Sequence, residues 1–93
     1  MVTEIKAGAC KGMKNLETVT IGKNVEKIGA KAFLNCKNVI KFTIKTKKLT
    51  MGSVGKDAFK IGHNASYKCP SGMQEEYREL LIKKGAKKGS TFK

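Results

Sequence analysis

The sequence has almost none of the residues from which catalytic and metal sites are usually built. It contains one histidine, His63, one aspartate, Asp57, and one arginine, Arg78. A site with several histidine ligands is therefore excluded, and nothing beside the few carboxylates would tune a pKa for acid–base catalysis. No glycine-rich stretch has the spacing of a phosphate-binding loop. We predict that the chain is not an enzyme and binds no metal or cofactor.

Long apolar runs are absent as well. No stretch approaches the ~20 apolar residues of a membrane-spanning helix. The first ten residues, MVTEIKAGAC, lack the apolar core of a signal peptide. We predict no membrane span and no signal peptide within this chain, whose 93 residues suffice for one domain.

The three cysteines, Cys10, Cys36 and Cys69, have no metal-ligand spacing. Their odd number argues against a disulfide framework. We predict buried, reduced thiols. A Cys10–Cys36 bridge between neighbouring repeats remains open.

Acidic residues are few. The chain has 20 basic and 7 acidic residues, which gives a formal net charge of +13. All but one of the basic residues are lysines, and only 6% of the chain is aromatic. Nucleic-acid binding favours the guanidinium fork and stacking aromatic rings, so this composition argues against it. The lysines are scattered from Lys6 to Lys93, as on a solvated surface.

A repeat of about 23 residues is present from the start of the chain. VTEIKAGACKGMKNLETVTIGKN (2–24) aligns without a gap with VEKIGAKAFLNCKNVIKFTIKTK (25–47). A third, degraded copy occupies 48–70, and its first three residues, 48–50, are an insertion relative to the other copies. The matched apolar pairs are Val2 with Val25, Ile5 with Ile28, Ala9 with Ala32, Cys10 with Phe33, Met13 with Cys36, Leu16 with Val39, Val19 with Phe42, and Ile21 with Ile44.

Each copy has the pattern of one short coil. Apolar residues alternate with polar ones at 18–21 and 41–44, as in a half-buried strand. A second extended run lies at 2–5 and 25–28, and AKAFLNC (30–36) is predicted to form one helical turn. One such unit cannot bury its apolar side alone, so the copies are expected to stack with parallel strands around a shared core.

The string V-x-x-I-G-x-x-A-F-x-x-C-x-x-V-x-x-F-x-I, at 25–44, resembles the BspA-like class of leucine-rich repeat. The resemblance covers about 1–70 and departs at Cys10, where phenylalanine is expected. It implies a leucine-rich-repeat solenoid, a right-handed coil of short parallel β-strands with short helical turns. It also implies a segment of a longer cell-surface or secreted protein with an adhesion-type role.

A different pattern begins after Pro70. Residues 71–74, Ser-Gly-Met-Gln, have the Ser-x-x-Gln spacing of a capping box, and Gly85 is suited to end a helix. We predict a capping α-helix over about 72–84 that docks on the third repeat. With the basic tail that follows, it makes up 71–93 and belongs to the same single domain. One apolar stripe marks its docking side: Met73, Tyr77, Leu80 and Leu81.

Stacked repeats bind partners on the face that their strands share. We therefore predict a non-catalytic module that binds a protein or a glycan. Two alternatives remain: a structural spacer or terminal cap with no ligand of its own, and a basic module that binds a polyanion. The candidate binding residues are the outward strand positions Thr18, Thr20, Lys41, Thr43 and Lys68.

The start of the first repeat suggests a second contact. Val2 begins a repeat with no polar cap before it, so the apolar side of the first coil is expected to be open. Solenoid ends and unpaired strand edges attract other chains. We predict a homodimer through this uncapped N-terminal repeat.

Overall fold

The first two copies of the repeat fold into equivalent coils that stack in parallel. The structure is a computed structural model and describes residues 2–93; Met1, at the start of the predicted repeat region 1–70, lies outside them. Strand β1 (Glu4–Ile5) pairs with β3 (Lys27–Ile28), and β2 (Thr18–Ile21) pairs with β4 (Lys41–Ile44). Both pairs are in the register of the 23-residue alignment. We call the part that carries β1 and β2 coil 1, and the part that carries β3 and β4 coil 2.

The degraded third copy continues the stack as coil 3. Val54 forms an isolated parallel bridge with Ile28. Strand β5 (Ser66–Lys68) pairs in parallel with β4 and places Tyr67 opposite Phe42. The inserted residues before Val54 therefore lengthen the connection between coils without breaking the pairing on either side.

The segments between the strands form turns, and the predicted short helical turns are wrong. Gly8 N–H donates to the Ala30 carbonyl at 3.0 Å, and Phe33 N–H donates to the Ala58 carbonyl at 2.8 Å. These N–H groups find acceptors one coil away, so they cannot close helical hydrogen bonds. Lys31 and Asp57, which match Gly8 in the repeat, adopt left-handed φ values of 58° and 60°, and a right-handed helix does not contain such residues.

Helix α1 (Gln74–Lys83) confirms the predicted capping helix, which is two residues shorter at its start and one at its end than the predicted 72–84. Its N-cap is Met73, with no side-chain hydrogen bond, so the predicted capping box does not form. The cause is a turn closed by Met73 N–H and the Pro70 carbonyl at 3.0 Å, with Gly72 at φ 82°. At the other end, Gly85 has a φ of 112° and the N–H groups after the helix bond back to its last turn, as in a Schellman motif.

The helix docks on coil 3, as predicted. Tyr77, Leu80 and Leu81 are buried. Phe59 N–H donates to the Lys84 carbonyl at 2.9 Å, so the end of α1 supplies the acceptor that another coil would have supplied. Gly85 lies so close to Lys60 that a Cβ there would be 2.8 Å from the Lys60 backbone nitrogen.

The tail after the helix returns to the sheet as a strand that the sequence analysis did not predict. Strand β6 (Thr91–Phe92) pairs in parallel with β5 and places Phe92 opposite Tyr67. The larger sheet therefore has four strands in the order β2-β4-β5-β6. Its inner side carries a column of stacked rings, with Phe42 and Tyr67 centred 4.9 Å apart and Tyr67 and Phe92 centred 5.0 Å apart.

Candidate binding face

The five predicted binding residues lie together on the outer side of the four-stranded sheet. Thr18 is opposite Lys41. Thr43 is flanked by Thr20 on one side and by Lys68 on the other. They alternate with the inward Val19, Phe42 and Tyr67, so parallel pairing arranges them in two rows across the strands.

The structure extends both rows to residues that sequence reasoning missed. Ser66 and Thr91 continue the row of Thr18 and Lys41. Lys93 follows Phe92, is exposed, and bonds through its N–H to the Tyr67 carbonyl at 2.8 Å, which places it beside Lys68. The alternation Thr91-Phe92-Lys93 is the only sequence signal for this strand, and it is too short to be decisive.

We call the outward residues of this sheet the Lys–Thr face. Lys45 is included because it is exposed and follows the buried Ile44 at the end of β4. Most of these side chains are exposed, and only Thr43 and Ser66 are half-buried. The face comprises Thr18, Thr20, Lys41, Thr43, Lys45, Ser66, Lys68, Thr91 and Lys93.

All charged side chains of the Lys–Thr face are positive. None of its residues is acidic, and the nearest carboxylate in sequence is Glu17, directly before β2. Within residues 2–93 there is one ion pair, between Lys6 and Glu4 at 3.4 Å, and it lies away from this face. The lysine charges of the face are therefore balanced by solvent ions and remain available to an anionic partner.

A second exposed surface is the open end of coil 1. Ile5, Cys10, Leu16 and Val19 are half-buried and pack against the core from one side, and Val2 is 64% exposed. A cavity of about 520 Å³ opens there. It exists in part because coil 1 has the small Cys10 where coils 2 and 3 have the rings of Phe33 and Phe59.

One position distinguishes coil 1 from the coils stacked on it. A Cβ on Gly29 or Gly55 would overlap the backbone of the preceding coil at Ala7 or Ala30. The matching residue of coil 1 is Lys6, which is exposed. A further coil could not approach coil 1 here as closely as the observed coils approach one another.

The thiols and the imidazole of residues 2–93 lie partly or fully buried. The Cys36 thiol donates to the Cys10 carbonyl oxygen at 2.9 Å, and all three cysteines are free. Burial raises the pKa of the Cys36 and Cys69 thiols, which keeps them protonated at neutral pH. His63 is half-buried, with Nε2 2.6 Å from the Val39 carbonyl oxygen.

The described part of the chain has neither a cluster of metal ligands nor a membrane-spanning helix. Across residues 2–93, no cluster of three or more His, Cys, Asp or Glu side chains is placed to hold a metal ion. In that same range, no helix has the length and apolar character needed to cross a membrane.

Comparison with protein families gives one match. The model of the BspA type leucine rich repeat region, which describes six copies of the repeat, matches residues 1–81. The match therefore includes all three coils and most of α1. Neither the curated proteins nor the solved structures gave a match to the chain.

Proposed function

Since the chain belongs to the BspA-type leucine-rich repeat family, we propose that it is a non-catalytic interaction module whose Lys–Thr face binds a protein or a glycan. The observation that carries this proposal is the continuous register of β2, β4, β5 and β6. It brings polar side chains from all three coils and the C-terminal segment onto one surface that no part of residues 2–93 covers. Such shared strand faces are the usual binding surfaces of repeat proteins.

The module would act as a segment of a longer cell-surface protein. Membership of the BspA-type leucine-rich repeat family supports a place in a surface protein. An adhesion-type role fits an exposed, polar face that runs across four strands. The competing spacer hypothesis assigns this face no ligand.

Binding of the chain to a panel of purified proteins and glycans immobilised on a microarray would test the proposal. The face variant replaces two threonines and two lysines by alanine. The control variant replaces two exposed uncharged polar residues and two lysines elsewhere, so both lose the same charge. The face substitutions are at Thr18, Thr20, Lys41 and Lys68, and the control substitutions are at Thr3, Asn15, Lys37 and Lys56.

We expect at least one panel member to bind the parent chain, and its signal to fall tenfold or more with the face variant but less than twofold with the control. Equal losses of binding in the two variants would show that the binding site lies outside the Lys–Thr face. A panel with no bound member would favour the spacer hypothesis. Thermal unfolding of both variants establishes that they are folded.

The proposal includes pairing of two chains through coil 1. An apolar surface lies beside the edge of β2 that no strand of residues 2–93 pairs with. Its residues are the half-buried Ile5, Cys10, Leu16 and Val19. The exposed Lys6 opposes a coil-on-coil stack in the observed geometry. A two-fold contact through the apolar rim, with the same surface on both partners, satisfies both features.

A further inference from the structure

The composition of the Lys–Thr face indicates what kind of partner it fits. Its charged residues are four lysines on, or directly after, three neighbouring strands, and its other side chains carry hydroxyls. The lysines are Lys41, Lys45, Lys68 and Lys93. The cores of protein–protein interfaces are enriched in aromatic residues and arginine and depleted of lysine. The outward positions of this sheet contain no aromatic residue and no arginine, since all the rings of the sheet point inward.

The chemistry of the lysine side chain also argues against a dry protein–protein interface. An ammonium group is a compact, strongly hydrated charge on a flexible stem. It attracts an anion well across water but gives up its water reluctantly, so it is better suited to a hydrated polyanion than to a dry protein interface. The neighbouring threonine hydroxyls can both donate and accept hydrogen bonds.

The spacing of the charges is set by the fold. Adjacent strands lie about 4.8 Å apart, and outward residues on one strand lie about 7 Å apart. Lys41 at the start of β4, Lys45 just after its end, Lys68 on β5 and Lys93 just after β6 therefore form a positive array across the sheet. A linear polymer with repeated negative groups can meet several of these charges at once, which multiplies weak individual contacts.

We infer that the partner of the Lys–Thr face is a linear anionic glycan, carrying carboxylate or sulfate groups along its length. The inference rests on the proposed function, because it names the ligand class of the same face. Duplex DNA is a poorer fit because the face lacks the arginine and aromatic contacts that recognise nucleic acids.

The test measures the affinity of the full chain for immobilised heparin, chondroitin sulfate, hyaluronan, poly-L-glutamate and a DNA duplex over a range of salt concentrations. A face variant carries four lysine-to-glutamine substitutions, and a control carries four others outside the sheet. Both have the same net charge, so the comparison separates the array from the overall charge of +13. The face variant changes Lys41, Lys45, Lys68 and Lys93, and the control changes Lys11, Lys14, Lys37 and Lys56.

We expect at least one glycan to bind more tightly than poly-L-glutamate and DNA, with a tenfold or greater loss in the face variant and less than a threefold loss in the control. Binding should also weaken with salt, and less steeply in the face variant. Equal losses in the two variants would show attraction by net charge alone and overturn the inference.

Two other results would overturn the inference while separating it from the proposed function. Stronger binding of poly-L-glutamate than of any glycan would assign the face to an acidic protein. No binding of any of these polymers, together with face-dependent binding of an uncharged panel member, would leave the proposed face intact and remove its anionic partner.

Discussion

The phenol hydroxyl of Tyr77 donates a hydrogen bond to the carbonyl oxygen of Thr46, 2.8 Å away, and so joins α1 to the residue that ends coil 2. The same hydroxyl accepts the N–H of Leu49 at 3.2 Å. Thr46 is fully buried, and its own hydroxyl donates to the Val25 carbonyl at 2.6 Å. This buried polar cluster therefore links both coil 2 and the connection to coil 3 to the capping helix.

Removal of the hydroxyl should lower the stability of the protein at Tyr77 but not at Tyr67. Tyr77→Phe leaves a buried carbonyl and a buried N–H without partners, so we expect it to lower the free energy of unfolding by about 1–3 kcal/mol. The Tyr67 hydroxyl is buried without a hydrogen-bond partner among the described residues. Tyr67→Phe should therefore be neutral or stabilising. Urea unfolding measures both, and a larger loss for Tyr67→Phe would contradict the described hydrogen bonding.

Tyr67 should also make the protein sensitive to alkaline pH. Burial raises the pKa of Tyr67 in the folded state above its ordinary value of 10.0. Above that value the unfolded chain loses the phenol proton while the folded chain keeps it, so the free energy of unfolding falls as pH rises, by up to about 1.4 kcal/mol per pH unit. Below it, this contribution is constant.

The difference between the parent and Tyr67→Phe isolates this titration from that of the lysines. Urea unfolding between neutral pH and pH 11 should give parallel curves below about pH 9, where no tyrosine ionises in either state. Above pH 10.0, the ordinary tyrosine pKa, the variant should lose stability less steeply. Parallel curves throughout would show that the ring is not buried in the folded chain.

Close coil packing makes Gly29 and Gly55 intolerant of a side chain. A Cβ at Gly29 would overlap the backbone of Ala7, and neither coil can move without breaking the ladder between β1 and β3. We expect Gly29→Ala to cost about 1–3 kcal/mol or more. Gly52 has no atom within 4 Å of its Cβ position, so Gly52→Ala should change stability by less than about 0.5 kcal/mol. Similar effects of the two substitutions would contradict this stacking distance.

Phe33 lies at the centre of the aromatic core. It is 1% exposed, and its ring centre lies 5.3 Å from that of Phe42 and 5.6 Å from that of Phe59. Phe33→Ala removes contacts within coil 2 and with coil 3. We expect it to lower the free energy of unfolding by about 3–5 kcal/mol, most of the stability of a domain this small. The exposed Lys37→Ala is the control, at no more than about 0.5 kcal/mol. A Phe33→Ala melting temperature within a few degrees of the parent would show that the register is wrong.

The strands of the first two coils could be predicted because two independent patterns coincide. The 23-residue match fixed which residues stand opposite each other, and the alternation around Val19 and Phe42 fixed which side faces inward. The two rows of the Lys–Thr face followed from these patterns. The helix could be predicted equally well, because its apolar stripe depends only on the spacing of residues close in sequence.

Most of the missed features depend on contacts between distant residues. Strand β6 has two residues, and it forms because Gly85 ends the helix and the chain then returns beside β5. The turns at 8–12 and 31–35 resemble helical segments locally, but alternate N–H groups, such as those of Gly8 and Phe33, donate to the next coil. The capping box failed because Gly72 at φ 82° moves the start of the helix past Ser71.

Self-association through coil 1 gives the last prediction. The net charge of +13 repels like chains, whereas the apolar rim around Val2 attracts them. Salt screens the repulsion over a Debye length of about 10 Å at 0.1 M, so dimer formation should strengthen from low to moderate salt. Glycan binding by the Lys–Thr face should change in the opposite direction. Sedimentation equilibrium over that salt range measures the dimer directly.

Two matched substitutions locate the contact. Val2 is 64% exposed at the open end of coil 1, and Ile40 is 63% exposed just before β4. Val2→Lys places a charge from each partner at the two-fold contact and should weaken the dimer tenfold or more, because a buried, unpaired ammonium is strongly disfavoured. Ile40→Lys adds the same charge outside the contact and should change dimerisation less than threefold. If the parent stays monomeric at high micromolar concentration in moderate salt, coil 1 does not pair with a second copy.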